Sequence, residues 1–300
     1  MVTHCIPKVI WFPKNASFWL LVSCCCFFFL FAAIKVGNGQ STGSEIATAP
    51  AQKSIFILSI NVKADFITTD HIGQLYVVVN NKVYKYSGNG DIISTYSNNN
   101  LGKITFIDAS NPLRILLYYK DFGQIEFLDD VLNPIGSSIS LEEMGLDQAV
   151  LSCTSWDDGI WLYDSKDFQL KRISKNLKLT HESGPIYQLI KTPVNPNYIL
   201  EYNNFVYLNN PATGIMVFDL FGSYLKTISI RELKYFQING NNLFYVDNGF
   251  LKGYNLKSFQ ENSLVLPGST KDIIGLRFEK ESGLFAILKE NTLDLFKIQE

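Results

Sequence analysis

A short apolar pattern recurs about every 42 residues along this chain, and it limits the architectures open to it. The pattern reads Val83-Tyr84-Lys85-Tyr86, Ile125-Glu126-Phe127-Leu128, Ile160-Trp161-Leu162-Tyr163, Ile215-Met216-Val217-Phe218, Leu251-Lys252-Gly253-Tyr254 and Leu293-Asp294-Leu295-Phe296. Each copy opens on an aliphatic residue, and five of the six close on an aromatic residue three positions later. The steps between opening residues are 42, 35, 55, 36 and 42. A period of roughly 40 to 45 residues, with several short strands in each unit, marks the blade of a β-propeller. The repeat therefore predicts an all-β, six-bladed β-propeller.

Within each unit, strands alternate with tight turns. In the first, Phe66-Ile67-Thr68-Thr69 is a β-branched run, Asp70-His71-Ile72-Gly73 a turn, Leu75–Val79 a strand, Asn80-Asn81 a second turn and Val83–Tyr86 another strand. Ser87-Gly88-Asn89-Gly90 then turns into Asp91–Tyr96. Asn and Gly tolerate the positive φ of two-residue hairpin turns, and Val, Ile, Tyr and Phe suit a half-buried pleated surface. The sixth unit, ending in Thr292–Lys297, lacks an outer fourth strand, while Ile55–Ile60 stands unattached ahead of the first. Pairing these two closes the ring and leaves no open edge there. The 55-residue step reads as an insertion, Lys175 to Pro196, holding the inner strand of the fourth blade at Ile186–Ile190 and an elongated loop.

Residues 1–39 read as an address rather than as part of the fold. Phe18 to Ile34 carries no charge, Lys8 and Lys14 precede it, and Gly37-Asn38-Gly39 follows. That is the order of a secretory signal, with cleavage expected after Gly39. Two alternatives stand: an uncleaved membrane anchor, at the short end of what spans a bilayer, and lipidation at Leu21-Val22-Ser23-Cys24. Each places the body of the chain outside the cytoplasm. Residues 40–54 read as a small, polar leader, and residues 55–300 as one propeller domain.

Removing residues 1–39, with three lysines and no acid, moves the formal net charge from −2 to −5. A mildly acidic body argues against nucleic acid, which requires a basic stripe. Four of the five cysteines leave with the signal, so Cys153 has no disulfide partner and reads as a buried, inert thiol.

Nothing in the pattern points to catalytic, cofactor-binding or metal-ligating residues. His4, His71 and His181 lack metal-ligand spacing. Asp70, Asp108, Asp157, Asp158 and Asp247 are the residue type a calcium-dependent propeller hydrolase, such as a lactonase, would gather at its channel mouth. They fall in inter-strand turns, where Asp is favoured because it bonds its own backbone. Trp156 and Trp161 bracket the turn Trp156-Asp157-Asp158-Gly159 and are candidates for an aromatic anchor, with packing between blades as the alternative. His181 and Tyr187, in the insertion, complete the candidate partner-binding residues.

The run Asp70-His71-Ile72-Gly73-Gln74-Leu75-Tyr76-Val77, followed by an aliphatic-x-x-aromatic strand, resembles blades of the NHL-type six-bladed propellers. The likeness covers roughly residues 55–298, and its motif is clear in the first blade. The Asn-rich turns, the aromatic content and a Gln directly after the signal resemble cell-envelope proteins of the Bacteroidota. One exported propeller of that kind is an accessory periplasmic component of the type IX secretion translocon. The resemblance implies a non-catalytic, protein-binding scaffold whose partners are envelope or outer-membrane proteins. Membrane association would then run through a partner or an uncleaved anchor. An exported calcium-dependent hydrolase and a glycan- or peptide-binding propeller are the competing expectations.

Overall fold

The computed structural model describes residues 54–264, 266, 272–280 and 282–298. The expected signal and most of the leader lie outside them. The first described strand, β1 (Ser54–Asn61), is set aside from the blades that follow it in sequence. The first blade is β2 (Phe66–Thr69), β3 (Leu75–Val79), β4 (Lys82–Tyr86) and β5 (Ile92–Ser97). The second is β6 (Phe106–Asp108), β7 (Ile115–Tyr119), β8 (Gln124–Leu128) and β9 (Ile139–Ser140). The third is β10 (Ala149–Thr154), β11 (Ile160–Asp164), β12 (Gln169–Ile173) and β13 (Leu179–Glu182). The fourth is β14 (Tyr198–Tyr202), β15 (Phe205–Asn210), β16 (Gly214–Asp219) and β17 (Tyr224–Ile228). The fifth is β18 (Gln237–Asn239), β19 (Asn242–Asp247), β20 (Phe250–Asn255) and β21 (Glu261–Leu264). The sixth takes β22 (Gly275–Glu279), β23 (Leu284–Leu288) and β24 (Thr292–Ile298) from the carboxyl end and β1 from the amino end.

Six four-stranded antiparallel sheets thus form the ring of a six-bladed β-propeller. β1 pairs antiparallel with β24, from Ser54 opposite Ile298 to Asn61 opposite Thr292, with one bulge between Phe56 and Leu58. Ser59 Oγ donates to Asp294 across this seam at 2.6 Å, and Lys289 Nζ meets the other oxygen of Asp294 at 2.6 Å. Burial alone would raise the Asp294 carboxyl; Lys289 and Ser59 outweigh it and hold it below the usual carboxylate range.

The core is divided into six clusters, each drawn mainly from two neighbouring blades. Tyr76, Val78 and Val83 of the first blade meet Ile115, Leu117 and Tyr119 of the second. At the seam, Leu75, Val77 and Tyr86 of the first blade meet Ala286, Leu288 and Leu295 of the sixth. The blades pack on both faces, which is why β7 and β11 are buried along their whole length and apolar but for Asp164 at the end of β11, rather than alternating. The turns follow the expected chemistry. Asn80-Asn81, Asn203-Asn204 and Asn248-Gly249 all lie at positive φ, the geometry that matches the right-handed twist of a hairpin. Among the described residues no helix is long and apolar enough to cross a membrane.

The insertion expected between the third and fourth blades needs correcting. Five copies of the repeat lie on the third strand of their blade; Ile160–Tyr163 lies on β11, the second strand of the third blade. The true third strand there is β12, in which Leu170 holds the aliphatic opening position and Ile173, not an aromatic residue, stands three places on. Counted from Leu170, both neighbouring steps become 45 residues (125 to 170, then 170 to 215), and most of the excess disappears. Leu179–Glu182 is the outer strand β13 of the third blade, not loop. Ile186–Ile190 is not a strand: Pro185 opens a single 3₁₀ turn, Ile186–Gln188, with only Ile186 buried. The inner strand of the fourth blade is β14.

Candidate functional site

The innermost strands β2, β6, β10, β14, β18 and β22 surround the central channel. The turns that leave these strands lie on one end of the ring, here termed the first-turn face. The connections that enter each new blade lie on the other, the crossover face. An aromatic waist divides the channel. Phe106 and Tyr198 meet edge to face at 5.7 Å, Tyr198 packs on Phe236 at 5.1 Å, and Arg277 borders the cavities on both sides. Burial pushes the Tyr198 hydroxyl up to about 12, with Arg277 working against the rise.

The first-turn cavity, about 240 Å³, is rimmed by Asp70, Asp108, Glu201 and Glu279. Each sits at or just beyond the end of an inner strand, and each is committed to neighbouring donors. Asp70 accepts from the N–H groups of Ile72 and Gln74 and from Tyr76 Oη, the turn its D-x-x-G sequence requires. Gly73 closes that turn at φ +80°, where a Cβ would also press on Ser282. Asp108 accepts from the Thr154 N–H and Oγ1 of the next blade, at 2.9 and 2.7 Å. Glu201 accepts from Ser155 Oγ, the Trp156 N–H and Trp161 Nε1 of the preceding blade, all within 2.9 Å. Glu279 accepts from the Ser282 N–H at 2.6 Å. Glu126 does the same work deeper between blades, taking Tyr96 Oη at 2.6 Å and Tyr119 Oη at 3.1 Å. These carboxylates tie one blade to the next or fix a turn.

The other acids singled out from the sequence do not join them. Asp157 is paired with Arg172 at 2.5 Å, and although burial opposes it, that guanidinium holds its carboxyl below the usual range. Asp158 occupies a positive-φ turn position, and its carbonyl accepts from Arg114. Asp247 lies on a β19–β20 turn at the opposite end of the ring, paired with Lys252 at 2.8 Å. No group of three His, Cys, Asp or Glu with metal-site geometry occurs among the described residues. Cys153 is fully buried in β10, and burial pushes its thiol well up.

The two tryptophans do not form a joint anchor. Trp161 is fully buried between the third and fourth blades, its Nε1–H on Glu201 and its ring within 6.0 Å of the Arg172 guanidinium. It holds blades together and presents nothing to a partner. Trp156 is 70% exposed on the first-turn face. It borders a second cavity of about 250 Å³ with Arg114, Tyr202, Asn203 and Asn204, which adjoins the channel mouth through Ser110, Glu201 and Tyr202. His181 lies on β13, its Nδ1 3.4 Å from Arg172 Nη1 and its ring edge to face with the exposed Phe221 at 5.5 Å. Tyr187 is half exposed on the crossover face, against Phe168 at 5.8 Å. The structure therefore keeps Trp156 and the His181–Phe221 pair at one end and Tyr187 at the other. Arg114 was not singled out from the sequence: its guanidinium stacks 3.4 Å over Phe127 while reaching across to Asp158 of the next blade, a contact no local pattern encodes.

The chain matches no protein-family model and no curated relative. Solved structures similar to it are propellers of diverse printed roles. A streptogramin B lyase structure aligns at TM-score 0.55 and 12% identity, over 82% of this chain and 98% of that one. The Pan2 WD40 domain of Neurospora crassa aligns at TM-score 0.54 and 10% identity, over 84% and 97%. A chain of a mitotic checkpoint complex aligns at TM-score 0.62 and 7% identity, over 90% and 100%. At such identities the likeness establishes the β-propeller fold and nothing finer.

Proposed function

We propose that this protein is a non-catalytic binding propeller that docks a protein partner on its first-turn face. The observation that carries the reading is Trp156: a large exposed ring whose backbone is fixed by Glu201 at 2.9 Å, beside a cavity edged by Arg114 and Tyr202. Trp, Tyr and Arg are the residues that most often dominate interface energetics, and a backbone fixed before binding lowers the ordering cost of docking. Leu113, Phe221 and Phe259 add exposed apolar surface on turns of the same end. The carboxylates of the channel mouth support the reading too, since Asp108 and Glu201 are engaged by donors of a neighbouring blade and Asp70 and Glu279 by donors of their own turns.

The finer reading rests on the sequence. An export signal and the NHL-like first blade favour an exported protein whose partner is an envelope or outer-membrane protein, within an accessory component of type IX secretion. The test is a pull-down from native membranes with the wild-type protein and Trp156→Ala. The reading expects an outer-membrane or secretion component captured by the first and at least tenfold depleted with the second. A wild-type protein that recovers no envelope protein, or equal capture by both, contradicts it.

A further inference from the structure

The crossover end of the channel differs in chemistry from the first-turn end. Its cavity, about 300 Å³, is walled by Phe66, Ile67, Phe106, Ile274 and Leu288 and ends at Arg277. The Arg277 guanidinium lies 5.1 Å from the centre of the Tyr235 ring, and Tyr235 borders this cavity and not the other. Nη1 donates to the Leu276 carbonyl at 3.1 Å, and among the described residues no carboxylate is ion-paired with Arg277. The acid in the cavity wall, Asp65, is occupied by Lys103 at 3.5 Å and by the Asn80 N–H at 3.0 Å. Lys234 adds a second cation to the lining.

A guanidinium has five N–H donors in a planar fork that fits a carboxylate with two parallel hydrogen bonds. Stacking on an aromatic face leaves that fork free. Arg277 also borders the carboxylate-rimmed first-turn cavity, yet it is ion-paired with none of those acids, so its fork is open to an anion that enters from the crossover side. Apolar walls ending in such a cation are complementary to one chemistry, an acid group on an apolar body. The first-turn cavity, rimmed by four carboxylates, repels the same group.

We propose that the crossover mouth binds an apolar carboxylate, its acid group on Arg277 and its hydrocarbon or ring against Phe106 and Ile274. The site is at the opposite end of the ring from Trp156, so it stands apart from the docking reading. Such an acid has two sources, a free small molecule or the carboxyl terminus of a peptide, and the assay separates them.

Calorimetric titration of the purified protein at pH 7.5 and low salt would use four probes: 3-phenylpropionate, 3-phenylpropanamide, and a tetrapeptide ending in phenylalanine as free acid and as amide. The expected result is binding of an acid with its amide at least tenfold weaker, and a loss of at least tenfold in Arg277→Gln at unchanged melting temperature. Arg277→Lys, a point charge in place of a fork, should fall between. Binding of both acids assigns a small-molecule ligand; binding of the peptide acid alone assigns a protein terminus. Equal binding of acid and amide, unchanged affinity in Arg277→Gln, or no binding of any probe by the folded wild-type protein overturns the proposal. The acid–amide comparison needs no variant, so it decides even where Arg277→Gln fails to fold.

Discussion

Individual carboxylates at the blade junctions carry more of the stability than their exposed positions in sequence suggest. Glu201 satisfies three donors from the neighbouring blade, among them the indole N–H of the fully buried Trp161. Glu201→Ala strands those donors and should cost about 2–4 kcal/mol in urea unfolding. Trp156→Ala, which removes the exposed ring of a residue whose N–H Glu201 holds, should change stability by no more than about 0.5 kcal/mol. The contrast separates the residue that builds the face from the one that presents it. Glu126 has a different signature. Burial and this carboxylate raise the hydroxyls of Tyr96 and Tyr119, so both stay protonated in the fold at a pH where they ionise in the unfolded chain. Their contribution is full below the ordinary tyrosine value of about 10 and is lost as pH rises past it. The part of the tyrosinate difference absorbance that is lost in Tyr96→Phe and Tyr119→Phe should therefore appear only together with unfolding above about pH 10, and its appearance in the folded protein at about pH 10 would contradict the pairing with Glu126.

At the scale of strands and turns, the fold was legible where burial imposes a pattern and obscure where charge replaces it. The strand run, the Asn turns and the pairing of Ile55–Ile60 with the last strand follow from apolar period and turn chemistry alone. The third blade misleads because β12 buries Lys171 between Asp164 and Asp167, at 2.7 and 2.5 Å, and Arg172 against Asp157. These ion pairs, 4 to 15 residues apart in sequence, bury two charges on a third strand, and the apolar run of β11 with its closing Tyr163 matches the repeat better than β12 does. Arg114 and Arg277 were hidden by distance in sequence: Arg114 reaches the Asp158 carbonyl in the next blade, and Arg277 lies beside Tyr235, 42 residues earlier. Trp156 and Trp161 are five residues apart, yet one is exposed and one fully buried. One turn is conspicuously intolerant. Gly214 opens β16 at φ +114°, where a Cβ would lie 2.2 Å from the Ile228 carbonyl of β17. That neighbour is backbone and cannot step aside, so Gly214→Ala should destabilise by about 2 kcal/mol or more in chemical denaturation.

For the molecule as a whole, stability is a property of a closed ring in which six clusters lock one another in sequence. Its acid limit follows from paired carboxylates. Asp294, Asp157 and Glu261 are held below their usual values in the fold, so their contributions are present above about pH 4 and are lost as pH falls through the lowered values. The melting temperature should be level from about pH 6 to 9 and fall below about pH 4, with Asp294→Asn flattening part of that fall. The ring is joined at a single non-covalent seam, the eight residues of β1 against β24. Opening it would expose the edge of β24 and part of the cluster formed by Leu75, Val77, Ala286 and Leu295. The most direct measurement compares the melting of two forms of the chain, one beginning at Ser54 and one at Val62. The account predicts that the first melts as the full chain does, and that the second melts roughly 10 °C lower or more, or aggregates, as the loss of several kcal/mol requires. Equal melting of the two forms would contradict a ring closed by its own amino-terminal strand.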